Sequence, residues 1–482
     1  MDHPHLIDWR EKHLNSIGKG FCAAKWFNAS IYLGHGYNGS CHLPLPHPID
    51  VEEIKTNPSA IHNTAHKKEV RKMMLNGKRP SECSYCWKIE DIGRNNVSDR
   101  VFKSMIYDGA EIEALKNLTG DEDVLLKTVE ISFDRTCNFA CSYCNAGYST
   151  TWAKELNTFG PYQRLISDSK GAYQSDGSWA EPYGKHSEDN PYVKAFLEWW
   201  PELSKSLIEV RVTGGEPLLS HNFWKFVEVV KQHDATNMRF AVNSNMGMEQ
   251  DVLEKLVKLT YELPVKEFFL FTSNEAYGPQ AEYIRDGLDY EKWKRNLIYF
   301  IENANPKASV ITIMMTINSL CLFSITDFLQ DMMELKKKYG SVKPHLDFNI
   351  LRWPGFMGPL ALPDNLKKMV RDNLISWYSP YRYTSNLLDS GEKSQIDRLI
   401  DYIEVVDKGH HFVSDEKEYL HHDFKSFYSQ YDFRRGKDFR KTFPQPLVDW
   451  YNTIEVKRNL PVVDKLWDGA ITHYERGEYD AK

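Results

Sequence analysis

Six short apolar runs, rich in β-branched and aromatic residues, punctuate the middle of the chain. They are TVEISFD (128–134), IEVRVT (208–213), RFAVNS (239–244), EFFLFT (267–272), SVITIMMT (309–316) and LDFNILR (346–352). Between them lie stretches with helical spacing of apolar positions: 221–233, 250–262, 290–304 and 325–340. Strand–helix alternation of this length predicts a parallel sheet built from βαβ units. Six units predict an α/β fold, a partial (βα)6 TIM-like barrel rather than a closed eight-stranded one. The gap between the first two strands is long. Its 157–192 stretch is rich in Gly, Ser, Asp and Pro and reads as an irregular insertion in the first βα loop.

The flanks complete a three-part organisation. Residues 1–110 hold half of the cysteines and form a Cys-rich N-terminal unit, 124–363 form the barrel, and 364–482 form a helical C-terminal extension. The segment 424–452 mixes aromatic and basic residues, but acids are interleaved throughout, so it reads as a packed cap with a solvated face.

Composition narrows the class. With 482 residues, 41% hydrophobic and 26% charged, the chain is globular and long enough for a large core. Sixty basic against 67 acidic residues, a net charge of −7, give no nucleic-acid signal. No run of about 18 apolar residues suggests a membrane span. The N-terminus, MDHPHLIDWREKHL, is charged and has no apolar leader. The expected location is therefore a reducing cytoplasm, where spaced cysteines mean metal or catalysis rather than disulfides.

The first strand runs into FDRTCNFACSYCNAG, which holds Cys137, Cys141 and Cys144 at the spacing Cys-x3-Cys-x2-Cys. Three thiolates on one turning loop suit three corners of a cubic iron–sulfur cluster and leave one iron open. The second strand closes on Thr213-Gly214-Gly215-Glu216-Pro217, where two glycines permit close approach and a carboxylate can pair with an ammonium. A zinc knuckle is the alternative for the triplet taken alone.

Triplet and Gly-Gly-Glu together resemble the radical S-adenosylmethionine (SAM) superfamily. The resemblance implies a [4Fe–4S] cluster on Cys137, Cys141 and Cys144, with Tyr143 the aromatic residue before the third cysteine. SAM then chelates the open iron, and Gly214, Gly215 and Glu216 meet its amino group. Asn243-Ser244-Asn245 face the SAM ribose and carboxylate, and Ser273 and Arg285 are further SAM contacts. Arg352-Trp353-Pro354 are carried to the substrate cavity. An external electron donor such as flavodoxin or ferredoxin is implied as well.

Four cysteines precede the barrel. Cys22, Gly36 and Cys41 resemble the opening element of the SPASM auxiliary-cluster domain or its shorter twitch relative, and Cys83-Ser-Tyr-Cys86 follows. This chain departs from that pattern: Ile92 stands where another cysteine is due, and the element lies before the barrel. The four therefore predict an auxiliary [4Fe–4S] cluster, with structural zinc as the alternative. His35, His42, His62 and His66 read as ordinary surface or loop residues, and Cys321 as a buried free thiol. The substrate expectation is a peptide or protein, with a small molecule as the alternative; a compact, charge-lined cavity under the 157–192 insertion would favour the latter. A further alternative is a zinc-stabilised, SAM-binding interaction protein without radical chemistry.

Overall fold

The computed structural model describes residues 4–456, apart from 94–95, 168–169, 184–188, 341–342 and 405–413. Parts of the 157–192 insertion and the end of the C-terminal extension therefore lie outside the described residues. Eleven strands follow in chain order: β1 Asn28–Tyr32, β2 Tyr37–Gly39, β3 His47–Pro48, β4 Thr128–Ser132, β5 Ala140–Cys141, β6 Glu209–Thr213, β7 Ala235–Ser244, β8 Val265–Ser273, β9 Arg285–Asp286, β10 Val310–Ile317 and β11 His345–Ile350. Nine form one sheet in the order β11-β10-β8-β7-β6-β4-β1-β2-β3, and β5 pairs with β9. The six expected strands are β4, β6, β7, β8, β10 and β11, all parallel.

The sheet has a seventh parallel strand that the six-unit reading omits. β1 pairs with β4 from Asn28↔Thr128 to Tyr32↔Ser132, and β2 and β3 extend it as an antiparallel edge. The N-terminal unit is thus built into the barrel sheet. NASIY is short and follows a single helical turn, Ala24–Phe27, too brief for a periodic signal. Its partner lies about 100 residues downstream, so local periodicity carries no trace of the pairing.

Helices cover one face of the sheet. The Gln250–Glu262 helix buries Leu253, Leu256 and Leu259 at helical spacing, and Asp289 caps the Tyr290–Asn303 helix by accepting from Lys292 N. Phe226, from the helix after β6, stacks on Phe240 of β7, and Phe268 of β8 meets Phe300. A separate small core gathers Leu14, Phe21, Trp26, Val70, Met74, Val101 and Ile112 in the N-terminal unit. The C-terminal extension is helical as expected. Its Ser414–Arg435 helix buries Phe424, Phe427, Tyr428 and Tyr431. Phe427 packs on Trp152, Tyr162, Tyr173 and Phe356, joining the extension, the insertion and the barrel mouth in one aromatic cluster. Among the described residues no helix is long and apolar enough to cross a membrane.

Because β1 sits between β4 and β2, its loss would expose a strand edge inside the sheet. A chain begun at residue 111 is expected to aggregate where the full chain stays in solution. Size-exclusion chromatography with near-UV circular dichroism checks this; a monodisperse, native-like product would show that the N-terminal unit is dispensable.

Candidate functional site

The three clustered cysteines lie on the loop between β4 and the Thr150–Phe159 helix, and each is half-buried and free. The loop is held at both ends. Ser149 caps the helix by accepting from Thr151 N and Trp152 N, and its hydroxyl donates to Phe139 O at 2.6 Å. Thr151 Oγ1 donates to Cys137 O at 2.7 Å, and Trp152 Nε1 to Cys141 O at 2.9 Å. Asp134, at the loop's start, accepts from Thr136 N and from Ser220 Oγ. Burial pushes all three thiols up, Cys144 to about 12. Thiols raised in this way are protonated at neutral pH, so binding a metal would release protons.

The glycine pair lies directly against this loop. A Cβ on Gly215 would fall 2.3 Å from Thr136 O, and one on Gly214 would fall 2.9 Å from Asp134 O. Gly214 also has φ of 124°, which side chains rarely adopt. Glu216 N donates to Thr136 O at 2.6 Å, so the two strand-end loops are joined through their backbones. The first neighbour these glycines approach is the cysteine loop itself, not a ligand.

Glu216 is only 2% exposed. Its carboxylate accepts from Asn245 N at 2.6 Å and from Leu218 N at 3.3 Å, yet desolvation outweighs these donors and raises its pKa to about 7. Asn245 is also fixed, donating to Asn138 Oδ1 and accepting from Gly247 N. Ser244 is buried and receives Met246 N. Asn243 is half-buried, and its Oδ1 is a buried acceptor without a partner. Ser273 ends β8 on the same face of the sheet, beside Met314. Arg352 is exposed and Trp353 half-buried, just past β11.

Arg285 is buried in β9, whose backbone pairs with the cysteine loop at Cys141↔Arg285. Its guanidinium donates from Nη2 and Nε to one oxygen, Glu275 Oε2, at 2.5 and 3.0 Å. Glu275 Oε1 accepts from Tyr143 OH at 3.0 Å, and the Tyr143 ring lies 5.5 Å from the guanidinium. Arg285 Nη1 also points at Cys141 Sγ, 3.8 Å away. Arg285 thus lies behind the cysteine loop, held by an acid that sequence reasoning passed over. The signal for Glu275 was present, as a carboxylate two residues beyond a strand end. No such signal marks Arg435, which reaches in from the C-terminal helix. It donates to Ala140 O at 2.5 Å, pairs with Glu155 and lies between Trp152 and Tyr431.

Residues 131–320 match the family model described as the radical SAM superfamily. The matched stretch is similar to that superfamily from β4 to just past β10 and holds the cysteine loop and Gly214-Gly215-Glu216. No protein of curated function matches it. Solved structures similar to it include native anSMEcpe with bound AdoMet and Cp18Cys peptide, at 15% identity and a TM-score of 0.32, over 53% of this chain and 60% of that one. Native anSMEcpe with bound AdoMet is similar at 16% identity and the same TM-score, over 53% of this chain and 61% of that one. The chain thus spans about three-fifths of the length of these structures.

The cysteine loop suits the iron–sulfur cluster that radical SAM proteins carry. Three free thiols share one loop, an N–H from Phe139 meets Cys137 Sγ at 3.4 Å, and a guanidinium faces Cys141. These donors favour sulfur in its anionic, ligating form. The orphaned Asn243 Oδ1 and the buried Glu216 are acceptors suited to a polar cofactor.

The four N-terminal cysteines line one cavity with Lys25, Arg100 and Lys103. Lys25 is buried and pairs with Glu82, which also binds His66. Of the four histidines expected at the surface or in loops, His62 is buried and His35 half-buried; His47 is buried as well. His62 hydrogen-bonds Arg71, Lys67 and Trp26 O, and His47 hydrogen-bonds Thr64. His42 and His66 are exposed as expected. Cys321 is buried and donates to Asn318 O.

Two outcomes follow for the Gly-Gly-Glu loop. Gly215→Ala must part the two loops and is expected to cost about 1–3 kcal/mol, read from the denaturant midpoint, with iron uptake reduced. Glu216 is easier to bury protonated, so its contribution to stability is complete below its unfolded pKa and lost as pH rises to about 7. Wild type without SAM should lose about 3 kcal/mol over that window. Glu216→Gln should flatten this pH dependence in denaturant titrations; an unchanged slope would show that Glu216 ionises freely.

Proposed function

We propose that this chain is an enzyme that reductively cleaves SAM and abstracts hydrogen from a substrate. The observation that carries this reading is the backbone junction between the Cys137–Cys144 loop and Gly214-Gly215-Glu216, which presents three thiols and a buried carboxylate side by side. When bound, a reduced [4Fe–4S] cluster would supply the electron for cleaving SAM to methionine and a 5′-deoxyadenosyl fragment able to take a substrate hydrogen. Cys137, Cys141 and Cys144 would hold the cluster. Glu216 accepts the SAM ammonium, which would restore its ionised form, and Gly214 and Gly215 let the backbone approach. Asn243, Asn245 and Ser273 are assigned to the remaining polar groups of SAM. Tyr143 and Arg285 act through the loop, by fixing its geometry and screening the charge on Cys141. The electron comes from an external donor of the flavodoxin or ferredoxin kind.

We further propose an auxiliary [4Fe–4S] cluster on Cys22, Cys41, Cys83 and Cys86. Four zinc-bound sulfurs would lie about 3.8 Å apart, from a Zn–S bond of about 2.3 Å. Among the described residues no three cysteine sulfurs lie within 4.8 Å of one another. The neighbouring Lys25 and Arg100 suit thiolate ligands gathered around a metal group. Its role would be to relay an electron or to brace the N-terminal unit. A peptide or protein remains one substrate reading. A small molecule is favoured by the charged inner face of the sheet described below.

Anaerobic iron and sulfide counting with electron paramagnetic resonance tests both assignments. Wild type is expected to hold about eight iron, and Cys137→Ala/Cys141→Ala/Cys144→Ala about four. Four iron plus one zinc in wild type would overturn the auxiliary cluster. Full iron retention in the triple variant would overturn the radical SAM site.

A further inference from the structure

The sheet face turned away from the helices carries opposite charges that the fold leaves only partly matched. Glu130 and Arg211 are register partners on β4 and β6 and share that face. They do not pair with each other. Among the described residues no cation lies within ion-pair distance of Glu130, whose carboxylate accepts only from Thr213 Oγ1, at 3.4 Å. The Arg211 guanidinium lies 3.9 Å from the Phe271 ring centroid and 3.7 Å from Glu209. Glu209 is shared with Arg239, at 3.4 Å, so one acid serves two guanidiniums. The next strand offers only the methyl group of Ala241 at the level of Arg211. Arg211 therefore has a braced stem, incomplete charge compensation and a small neighbour.

This floor lies immediately beneath the site. Thr213, which touches Glu130, precedes Gly214, and Glu130 is two residues from the end of β4. On the β1 side stands an aromatic wall. Tyr32 is the register partner of Ser132, and its ring leads through His35 to Trp179, at centroid separations of 5.7 and 5.3 Å. Tyr32 is near enough to Glu130 and Tyr148 for their charges to interact, and Tyr148 is similarly near Cys144. Tyr148 is 44% and Trp179 37% exposed. Trp179 belongs to the 157–192 insertion.

We propose that this floor and wall bind the substrate as a zwitterion of amino-acid type, with its ammonium on Glu130, its carboxylate on Arg211 and its apolar body against Tyr32, Tyr148 and Trp179. The inference rests on the radical SAM reading, in which the methionyl end of SAM goes to Glu216 and the open iron, leaving Glu130 and Arg211 for a second ligand. The interior of a peptide has no such pair of backbone charges, so the arrangement selects a free amino acid over an internal peptide segment. Arg211 suits a carboxylate because its planar fork makes two parallel bonds while its face rests on Phe271.

The test is calorimetric titration of the iron-reconstituted, SAM-loaded full chain with the common L-amino acids. The amine and the carboxylic acid analogues of the tightest binder, and its N-acetyl amide, follow as probes lacking one or both charges. At least one amino acid is expected to bind, with each analogue weaker by about tenfold or more. Arg211→Gln and Glu130→Gln should each weaken the amino acid by a similar factor. Arg211→Gln should leave the amine analogue unaffected, and Glu130→Gln the acid analogue. Arg211→Lys, which keeps the charge, should retain part of the affinity; if Arg211→Gln fails to fold, Glu130→Gln and Arg211→Lys carry the test. Equal binding of the N-acetyl amide, or affinity indifferent to these variants, overturns the proposal. Release of 5′-deoxyadenosine without any probe reports on the radical reading separately. Cleavage without amino-acid binding overturns the pocket alone, and binding without cleavage counts against the radical reading alone.

Discussion

The site depends on one close approach between backbones. Thr136 O accepts Glu216 N at 2.6 Å, and no side chain fits between the Cys137–Cys144 loop and Gly214-Gly215. Parallel neighbours β4 and β6 end side by side, so their following loops emerge together. The glycines turn that proximity into contact. A side chain at either position would hold the loops apart and separate three metal-binding thiols from the carboxylate beside them. Asp134 strengthens the junction by bridging Thr136 N and Ser220 Oγ.

Behind this junction lies a buried polar network. Tyr143, Glu275 and Arg285 form one set, with Arg285 directed at Cys141. A buried pair of this kind is expensive to desolvate and contributes little net stability, but breaking it strands a charge. Its value here is geometric, because it fixes the rotamers of groups around the cluster loop. Arg435 repeats the arrangement from the other side. Its bond to Ala140 O and pair with Glu155 attach the C-terminal helix to the same loop. The insertion joins them through Tyr173 OH on Ser142 O and Arg135 Nη1 on Asp176 O. Elements far apart in sequence therefore enclose one loop and fix its shape.

The N-terminal unit is similarly integrated. It has its own small core, but β1 lies in the barrel sheet and its hairpin forms the sheet edge. The four-cysteine cavity is thus attached to the barrel by a continuous hydrogen-bonded ladder, not by a flexible linker. Lys67 Nζ on Asn28 O and Arg71 Nε on Lys25 O extend that attachment through buried cations.

The sequence by itself determined what is local. Apolar runs marked six strands within a few residues, because side-chain alternation and helix spacing are properties of short segments. The triplet and the Gly-Gly-Glu loop were legible for the same reason: a metal loop and a tight strand exit each need particular residues at adjacent positions. Tertiary structure decided what pairs across distance. β1 was invisible because its partner lies about 100 residues away. Glu275 and Arg435 were ordinary charges until folding set them against Arg285 and Ala140. His62 looked like a loop residue until Lys67 and Arg71 buried it. The same holds for Glu130 and Arg211, which are single charges in two short strands until the register of β4 and β6 places them side by side. Burial and pairing depend on which surfaces meet, and that is a property of the whole chain.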